Sequence, residues 1–431
     1  MAATRNTLLG LAVLTAAFAA IPVDAQSART GASDRRAQQR QQEAPPPKVF
    51  PDATRVVEEG RVSRGLQRPL NEMFAALNED EDPAKAREIA DSVLANERAN
   101  AYEKSVAAQV AGNAALEQDD LEAAIAYAER ALAENGLDNE QHYGTMQNLA
   151  VTLLSNDQPD KAITTLNRLI DESKTKNPDI LFALAGAYYE SEQFPQAIEA
   201  TQRTIASVPT PKPEWLRLLA SAYTETEQSA EAVKALEQLV ALQPNEKTVI
   251  LALASAYLDL DQQDKAVATI EGARSRGLLT EARDYQNLYA LYFNIDGREK
   301  DVIAVINEGL SKGVLNRDLP TLSALAQAAY FAEDMDLAIG TYKEAAALDP
   351  KGETGLNYAK VLSGEARDAE ARDAAKAALA KGVGKPGEAW MVIARSENEL
   401  DNRPGVRAAL QEAAKYPETR EQANRMLSQL R

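Results

Sequence analysis

The chain contains no cysteine. That excludes disulfides, thiolate metal sites, thiol nucleophiles and attachment of lipid to an N-terminal cysteine. Histidine is almost absent: His142 stands alone among 431 residues. A zinc site built from two or three imidazoles is therefore out of reach, and HExxH does not occur. No GxSxG elbow accompanies His142, so a Ser-His-Asp constellation has no frame. At the start of a predicted helix, His142 reads as a solvent-facing residue. Phosphate-cradling loops are missing too. Gly382-Val383-Gly384-Lys385-Pro386 lacks the first glycine of a Walker A loop and has proline where serine or threonine belongs. It reads as a loop between helices. No complete EF-hand loop exists, since Asp259-Leu260-Asp261 stands without its remaining ligands. The sequence thus offers no catalytic residue, cofactor site or metal site.

Basic charge is short. Lys and Arg number 47 against 65 Asp and Glu, for a net charge of −18. A body of that sign repels phosphate and excludes nucleic acid as the partner. Aromatics make up only 5% of a chain that is 45% hydrophobic, so the core must rest on aliphatic side chains and alanine, a composition that favours helix. Long apolar runs are missing after the N-terminus, so no membrane span is expected in the mature chain.

The N-terminus itself reads as a secretory signal over residues 1–25. Arg5 supplies the positive end, Thr7 to Ile21 is apolar, and Val23-Asp24-Ala25 offers a small-x-small cleavage site after Ala25. This predicts a periplasmic protein, an uncleaved N-terminal anchor being the alternative. Residues 26–60 read as a disordered basic and proline-rich linker. Residues 26–50 hold five basic side chains against two acidic ones, together with Pro45-Pro46-Pro47, and no apolar period.

From residue 61 the chain repeats. A small or β-branched apolar residue recurs at Ala86, Ala124, Ala162, Ala197, Ala232, Ala266, Val302, Ala338, Ala371 and Val406, 33 to 38 residues apart. In nine of these copies, about twelve residues earlier, stands a second small residue: Gly112, Ala150, Ala185, Ala220, Ala254, Ala290, Ala326, Ala359 and Ala394. Asp119, Asp157, Asp261 and Gly297 fall in the intervening turns, and Pro209, Pro244 and Pro350 close units. Two short helices per unit, crossing at the small residues, account for the pattern.

The phrase Leu216-Arg217-Leu218-Leu219-Ala220-Ser221-Ala222-Tyr223, with Ala232, Leu236 and Pro244, resembles the tetratricopeptide repeat (TPR). The resemblance implies an all-α, right-handed superhelical solenoid of about ten TPR-like helix-turn-helix repeats over residues 61–417. Residues 418–431 form a C-terminal capping helix with Ala423, Met426 and Leu430 inward. In such a solenoid the first helices line a concave face. The candidate peptide groove then holds Phe182, Tyr189, Arg217, Ser221, Thr224, Leu251, Ser255, Asn287, Asn294, Gln327 and Tyr330, with Gly186 beside Phe182 and Tyr189. Aromatics and amides of this kind suit an extended peptide. The lysines of a carboxylate clamp are missing: the matching places hold Gln109 with Asn113 and Gln147 with Val151.

Residues 213–413 resemble a narrower family, the periplasmic TPR proteins that accompany TonB systems. The phrases are EGARSRGLLTEARDYQNLYALYF, VINEGLSKGVL and LAKGVGKPGEAWMVIARSE. The resemblance implies a protein–protein interaction scaffold or adaptor, accessory to TonB, ExbB, ExbD or an outer-membrane receptor. An assembly or secretion factor for outer-membrane proteins or exported polysaccharide is the alternative.

Overall fold

The computed structural model describes residues 48–57, 60–79 and 81–430. The signal region and residues 26–47 of the expected linker lie outside them. Among the described residues there are twenty-one helices and no strand. The chain is an all-α TPR-type solenoid, divided into two compact units at Gln243 and Pro244.

Unit 1 holds five helix pairs: α1 (Gln67–Asn78) with α2 (Pro83–Leu94), α3 (Ala101–Glu117) with α4 (Leu121–Glu134), α5 (Asn139–Ser155) with α6 (Pro159–Ser173), α7 (Pro178–Glu190) with α8 (Phe194–Ala206), and α9 (Pro213–Glu225) with α10 (Ser229–Leu242). Unit 2 holds five more: α11 (Lys247–Leu258) with α12 (Gln263–Ser275), α13 (Ala282–Phe293) with α14 (Glu299–Ser311), α15 (Leu319–Phe331) with α16 (Met335–Leu348), α17 (Glu353–Gly364) with α18 (Asp368–Ala380), and α19 (Pro386–Glu399) with α20 (Arg403–Ala413). It ends with α21 (Arg420–Gln429). Within unit 1, first helices of successive pairs also touch: α1 with α3, α5 with α7, and α7 with α9.

The small residues sit where the two helices of a pair meet. All ten second-helix anchors are buried. So are Gly112, Ala150, Ala185, Ala220, Ala254, Ala326, Ala359 and Ala394 on the first helices. A Cβ on Gly112 would lie 3.5 Å from the Ala124 carbonyl oxygen and 3.5 Å from Tyr127 Cβ, ordinary contact distances that leave room for a methyl and little more.

Ala290 is the exception and corrects the expectation: it is exposed, while Leu288 and Tyr292 on the same helix are buried. The cause is the turn. Eight pairs share one turn, with a left-handed residue (Asp119, Asp157, Glu192, Glu227, Asp261, Glu333, Ala366 and Asp401) at φ between 55° and 60°. The next residue's N–H then returns to the carbonyl five back, as in Gln228 to Tyr223 at 2.8 Å and Gln262 to Tyr257 at 2.9 Å. This is the Schellman ending, which satisfies the last helical carbonyls. Between α13 and α14 the turn is longer and its left-handed residue is Gly297, at φ 79°. Counting twelve back from Val302 therefore stops one residue short, and Tyr289 occupies the small-residue place.

Caps and prolines set the helix starts. Asp82, Asn100, Asp120, Asp138, Asn177, Asp318, Asp334 and Asn402 each accept a first-turn backbone N–H. Prolines stand in the first turn of α2, α6, α7, α8, α9, α15, α19 and α20, where their missing N–H costs nothing. At the C-terminus, Ala423 is buried while Met426, Leu427 and Leu430 pack on the last repeats, so α21 covers an apolar end.

The crossing makes a direct prediction. Ala220→Leu forces three extra heavy atoms into the α9–α10 contact and is expected to cost roughly 1–3 kcal/mol in denaturant unfolding. Unchanged stability would place the crossing elsewhere.

Candidate functional site

The eleven groove residues divide between the units. In unit 1 the sequence of α7 and α9 brings one pair together across helices. The Phe182 ring lies 6.0 Å from Trp215, tilted by 40°. Trp215 is buried and carries Lys212 Nζ 5.4 Å above its face, while the same ammonium pairs with Asp179 at 2.6 Å. Tyr189 turns instead toward its own repeat and meets Phe194 edge-on at 5.4 Å. Arg217 donates to Gln243 Oε1 at 3.2 Å. Ser221 is half-buried, and the exposed Thr224 donates its hydroxyl back to the Ala220 carbonyl at 3.0 Å. Gly186, expected on the open face, is buried in the helix packing.

In unit 2 the remaining residues sit on separate first helices. Leu251 is half-buried and Ser255 exposed on α11, Asn287 is exposed on α13, and Gln327 is exposed on α15. Tyr330 is 41% and Phe331 58% exposed, their rings edge-on at 5.5 Å. Asn294 is not on a helix face. It lies past the end of α13, in the lengthened turn that displaced Ala290.

The irregular repeat is tied by charge instead of by small residues. Arg274 on α12 donates to Glu308 on α14 through Nη2 at 2.6 Å and Nε at 2.8 Å, and to Glu271 at 2.7 Å. Glu308 also accepts from Tyr285 at 3.0 Å and Lys312 at 2.7 Å, and Glu271 accepts from Tyr292 at 2.6 Å. The Arg274 guanidinium foremost, then Lys312 and Tyr285, hold the Glu308 carboxyl down at about 2 despite partial burial. Burial and the Glu271 bond both push the Tyr292 phenol up.

The linker expectation fails for residues 48–57. They lie on the second and third repeats of unit 1 as a strap. Phe50 is only 4% exposed, its ring 5.3 Å from Tyr143. Glu140 accepts the backbone N–H of Val49 at 2.9 Å and of Phe50 at 3.1 Å. Arg55 donates to the Leu137 carbonyl at 2.8 Å, the Asn135 carbonyl at 3.0 Å, Asn135 Oδ1 at 2.9 Å and Asn139 Oδ1 at 3.2 Å. Beside Phe50's partner lies His142, which is fully buried and not solvent-facing as expected. Neither ring nitrogen has a hydrogen-bond partner among the described residues. Sequence reading missed this cluster. Its one signal was Phe50, the sole aromatic residue between the signal region and α1.

Three matches to tetratricopeptide-repeat models cover residues 115–175, 148–210 and 182–247. The chain carries tetratricopeptide repeats. Such repeats form scaffolds that bind other proteins and are typically non-catalytic. No curated protein matches the chain. Among solved structures, a tetratricopeptide repeat protein from Parabacteroides merdae ATCC 43184 is similar at 12% identity, over 66% of this chain and 94% of that one, with a TM-score of 0.38. The C-terminal part of a TPR repeat-containing protein from Cytophaga hutchinsonii aligns at 18% identity over 66% and 95%, also at 0.38. The MamA protein aligns at 21% identity over 39% and 89%, at 0.36. Scores this low have no bearing on function.

Within the repeat array, among the described residues, no helix is long and apolar enough to cross a membrane, and no group of three or more His, Asp and Glu is placed to hold a metal ion. At the places matching a carboxylate clamp, Gln109 donates to Thr145 at 2.9 Å and so links neighbouring repeats.

His142 gives the site a pH dependence. Burial first, then the Arg55 and Arg168 guanidinium groups, push its imidazole down to about 4, with Glu172 opposing. The unfolded chain takes up this proton near 6.5 and the folded chain only near 4. Stability from the neutral ring is therefore complete above 6.5 and lost as the pH falls through 4, roughly 3 kcal/mol at most. His142→Leu is expected to flatten the fall in thermal midpoint between those values. Parallel pH profiles for variant and parent would contradict this.

Proposed function

We propose that the chain is an exported adaptor of a bacterial cell envelope that holds one or more proteins on its repeat array. The TPR content supports the adaptor reading, and the unit 1 face carries it: the half-buried Phe182 ring, backed by Trp215, with the exposed Lys212 over Trp215 and the half-buried Arg217 on α9, supplies aromatic area and charged donors for a peptide. Export rests on residues 1–25, with their basic start, apolar run and small-x-small site. The periplasm is the destination this implies.

The finer reading places the adaptor beside a TonB-type energy-transduction system. It rests on the loop phrases of residues 213–413. Arg276-Gly277-Leu278-Leu279-Thr280 and Lys312-Gly313-Val314 both follow second helices, with Gly277 at φ 74° and Gly313 at φ 68°. These glycines end α12 and α14 in the left-handed conformation.

Crosslinking of the tagged full-length protein in its own cells, followed by mass spectrometry, tests the reading. TonB, ExbB, ExbD or an outer-membrane receptor among the captured proteins is the expected outcome, weakened by Phe182→Ala. Capture of barrel-assembly or polysaccharide-export proteins instead would contradict the TonB assignment and leave the general adaptor.

A further inference from the structure

We infer that the edge formed by the α4–α5 loop and the first turn of α5 is a binding site for a linear peptide, filled in this structure by the chain's own residues 48–57, and that the partner carries an aromatic side chain with an arginine five residues after it. The inference does not depend on which envelope proteins the groove holds.

Helix length is the first observation. α3 and α5 are 17 residues each, whereas the other first helices run from 12 to 14. The extra turn projects at the repeat edge, and it is this turn that bears the contacts. On α5 it carries Asn139, Glu140 and His142. On α3 it carries Glu103, which accepts Ser63 N–H at 2.6 Å. Asn100, capping α3, donates to the Arg61 carbonyl at 2.9 Å. Both turns therefore hold passing main chain, the means by which a protein grips a peptide whatever its side chains.

Selectivity comes from the two anchors. The aromatic one is Phe50, set among Tyr143 and the third-repeat core. The cationic one is Arg55, whose planar fork meets two carbonyls and two side-chain oxygens. The loop that receives it is fixed by its own packing. Asn135 is left-handed at φ 57°, and a Cβ on Gly136 would come within 2.3 Å of the Ala101 backbone, so the loop lies flush on α3. Between the anchors, Pro51 and Asp52 turn the segment, with Ala53 N–H donating to the Phe50 carbonyl at 3.4 Å.

Two features mark a site instead of a fixed piece of fold. The occupant is held at points, by its two anchors and by Thr54 at the Glu172 carbonyl, and lies in solvent around them: Val49 is 54% and Val56 94% exposed, and Pro51 and Asp52 are exposed. The receiving surface also keeps unused hydrogen-bonding capacity, since both nitrogens of the buried His142 and the buried Tyr143 hydroxyl have no partner among the described residues. A partner peptide with the same two anchors can compete for such a surface by mass action.

The test uses the full chain and a fluorescein-labelled synthetic peptide of residues 46–57. Fluorescence anisotropy is measured with the parent and with the Phe50→Ala/Arg55→Ala variant, whose own segment has lost its anchors. The peptide is expected to bind the variant at least about tenfold more tightly than the parent, because the occupied fraction no longer taxes the site. Adding Asn139→Ala and Glu140→Ala should abolish binding, and a scrambled peptide should not bind. Equal affinity for parent and variant, no binding to the variant, or equal binding of the scrambled peptide would each overturn the inference. If the double variant loses helix by circular dichroism, Arg55→Ala alone, which removes four edge hydrogen bonds, carries the same comparison. A concentration-dependent dimer of the parent in sedimentation, abolished by Phe50→Ala, would assign the site to a second copy and overturn the partner.

Discussion

The close crossing of two helices at a pair of small side chains is the contact on which everything else rests. Where Gly112 meets α4 at Ala124 backbones approach, and the buried Ala220 and Ala232 hold the same places on α9 and α10, with the larger Leu219 and Leu236 buried beside them. No repeat buries its apolar face alone. Each needs the next, which is why α21 is required at the C-terminal end and why a chain this poor in aromatics still forms a core.

The turn linking the two helices is the second constraint, because it decides which residue faces the crossing. The eight turns of the shared kind use a left-handed residue other than glycine, at the steric cost that such residues carry, and the Schellman bonds they permit keep the helix ends satisfied. The pair α13–α14 departs from this pattern. With Tyr289 in place of a small residue, that repeat cannot use the alanine contact, and the Arg274–Glu308–Glu271 cluster joins α12 to α14 in its stead. These groups are only partly exposed and make several bonds each, Arg274 donating and the two carboxylates accepting, so they are worth more than an ordinary surface ion pair.

The repeat order was legible because alanine and glycine at fixed spacing leave a pattern that no other fold needs. The same logic misplaced Ala290, since a spacing rule assumes a constant turn length and the insertion near Gly297 is silent in composition. The strap was illegible for a different reason. Residues 48–57 dock through main-chain N–H groups and two anchors, and neither produces a periodic signal in a stretch rich in proline and charge. His142 followed from that miss: a residue in the first helical turn is normally wet, and here the lengthened α5 and the docked segment share its surroundings. Of the groove residues in unit 1, the chain order placed Phe182, Tyr189, Arg217, Ser221 and Thr224 on first helices, and the Phe182 ring meets Trp215. It could not foresee that Tyr189 would turn to Phe194 or that Asn294 would leave the helix.

The crossing can be measured directly because the natural chain lacks cysteine. A Cβ at position 112 lies 3.5 Å from Tyr127 Cβ, at the short end of the separation a disulfide spans. In the variant carrying Gly112→Cys and Tyr127→Cys, the account predicts one intramolecular disulfide on mild oxidation of the folded protein, lost when it is first unfolded. Two thiols that stay free in the oxidised native protein would mean that α3 and α4 do not cross at the small residues.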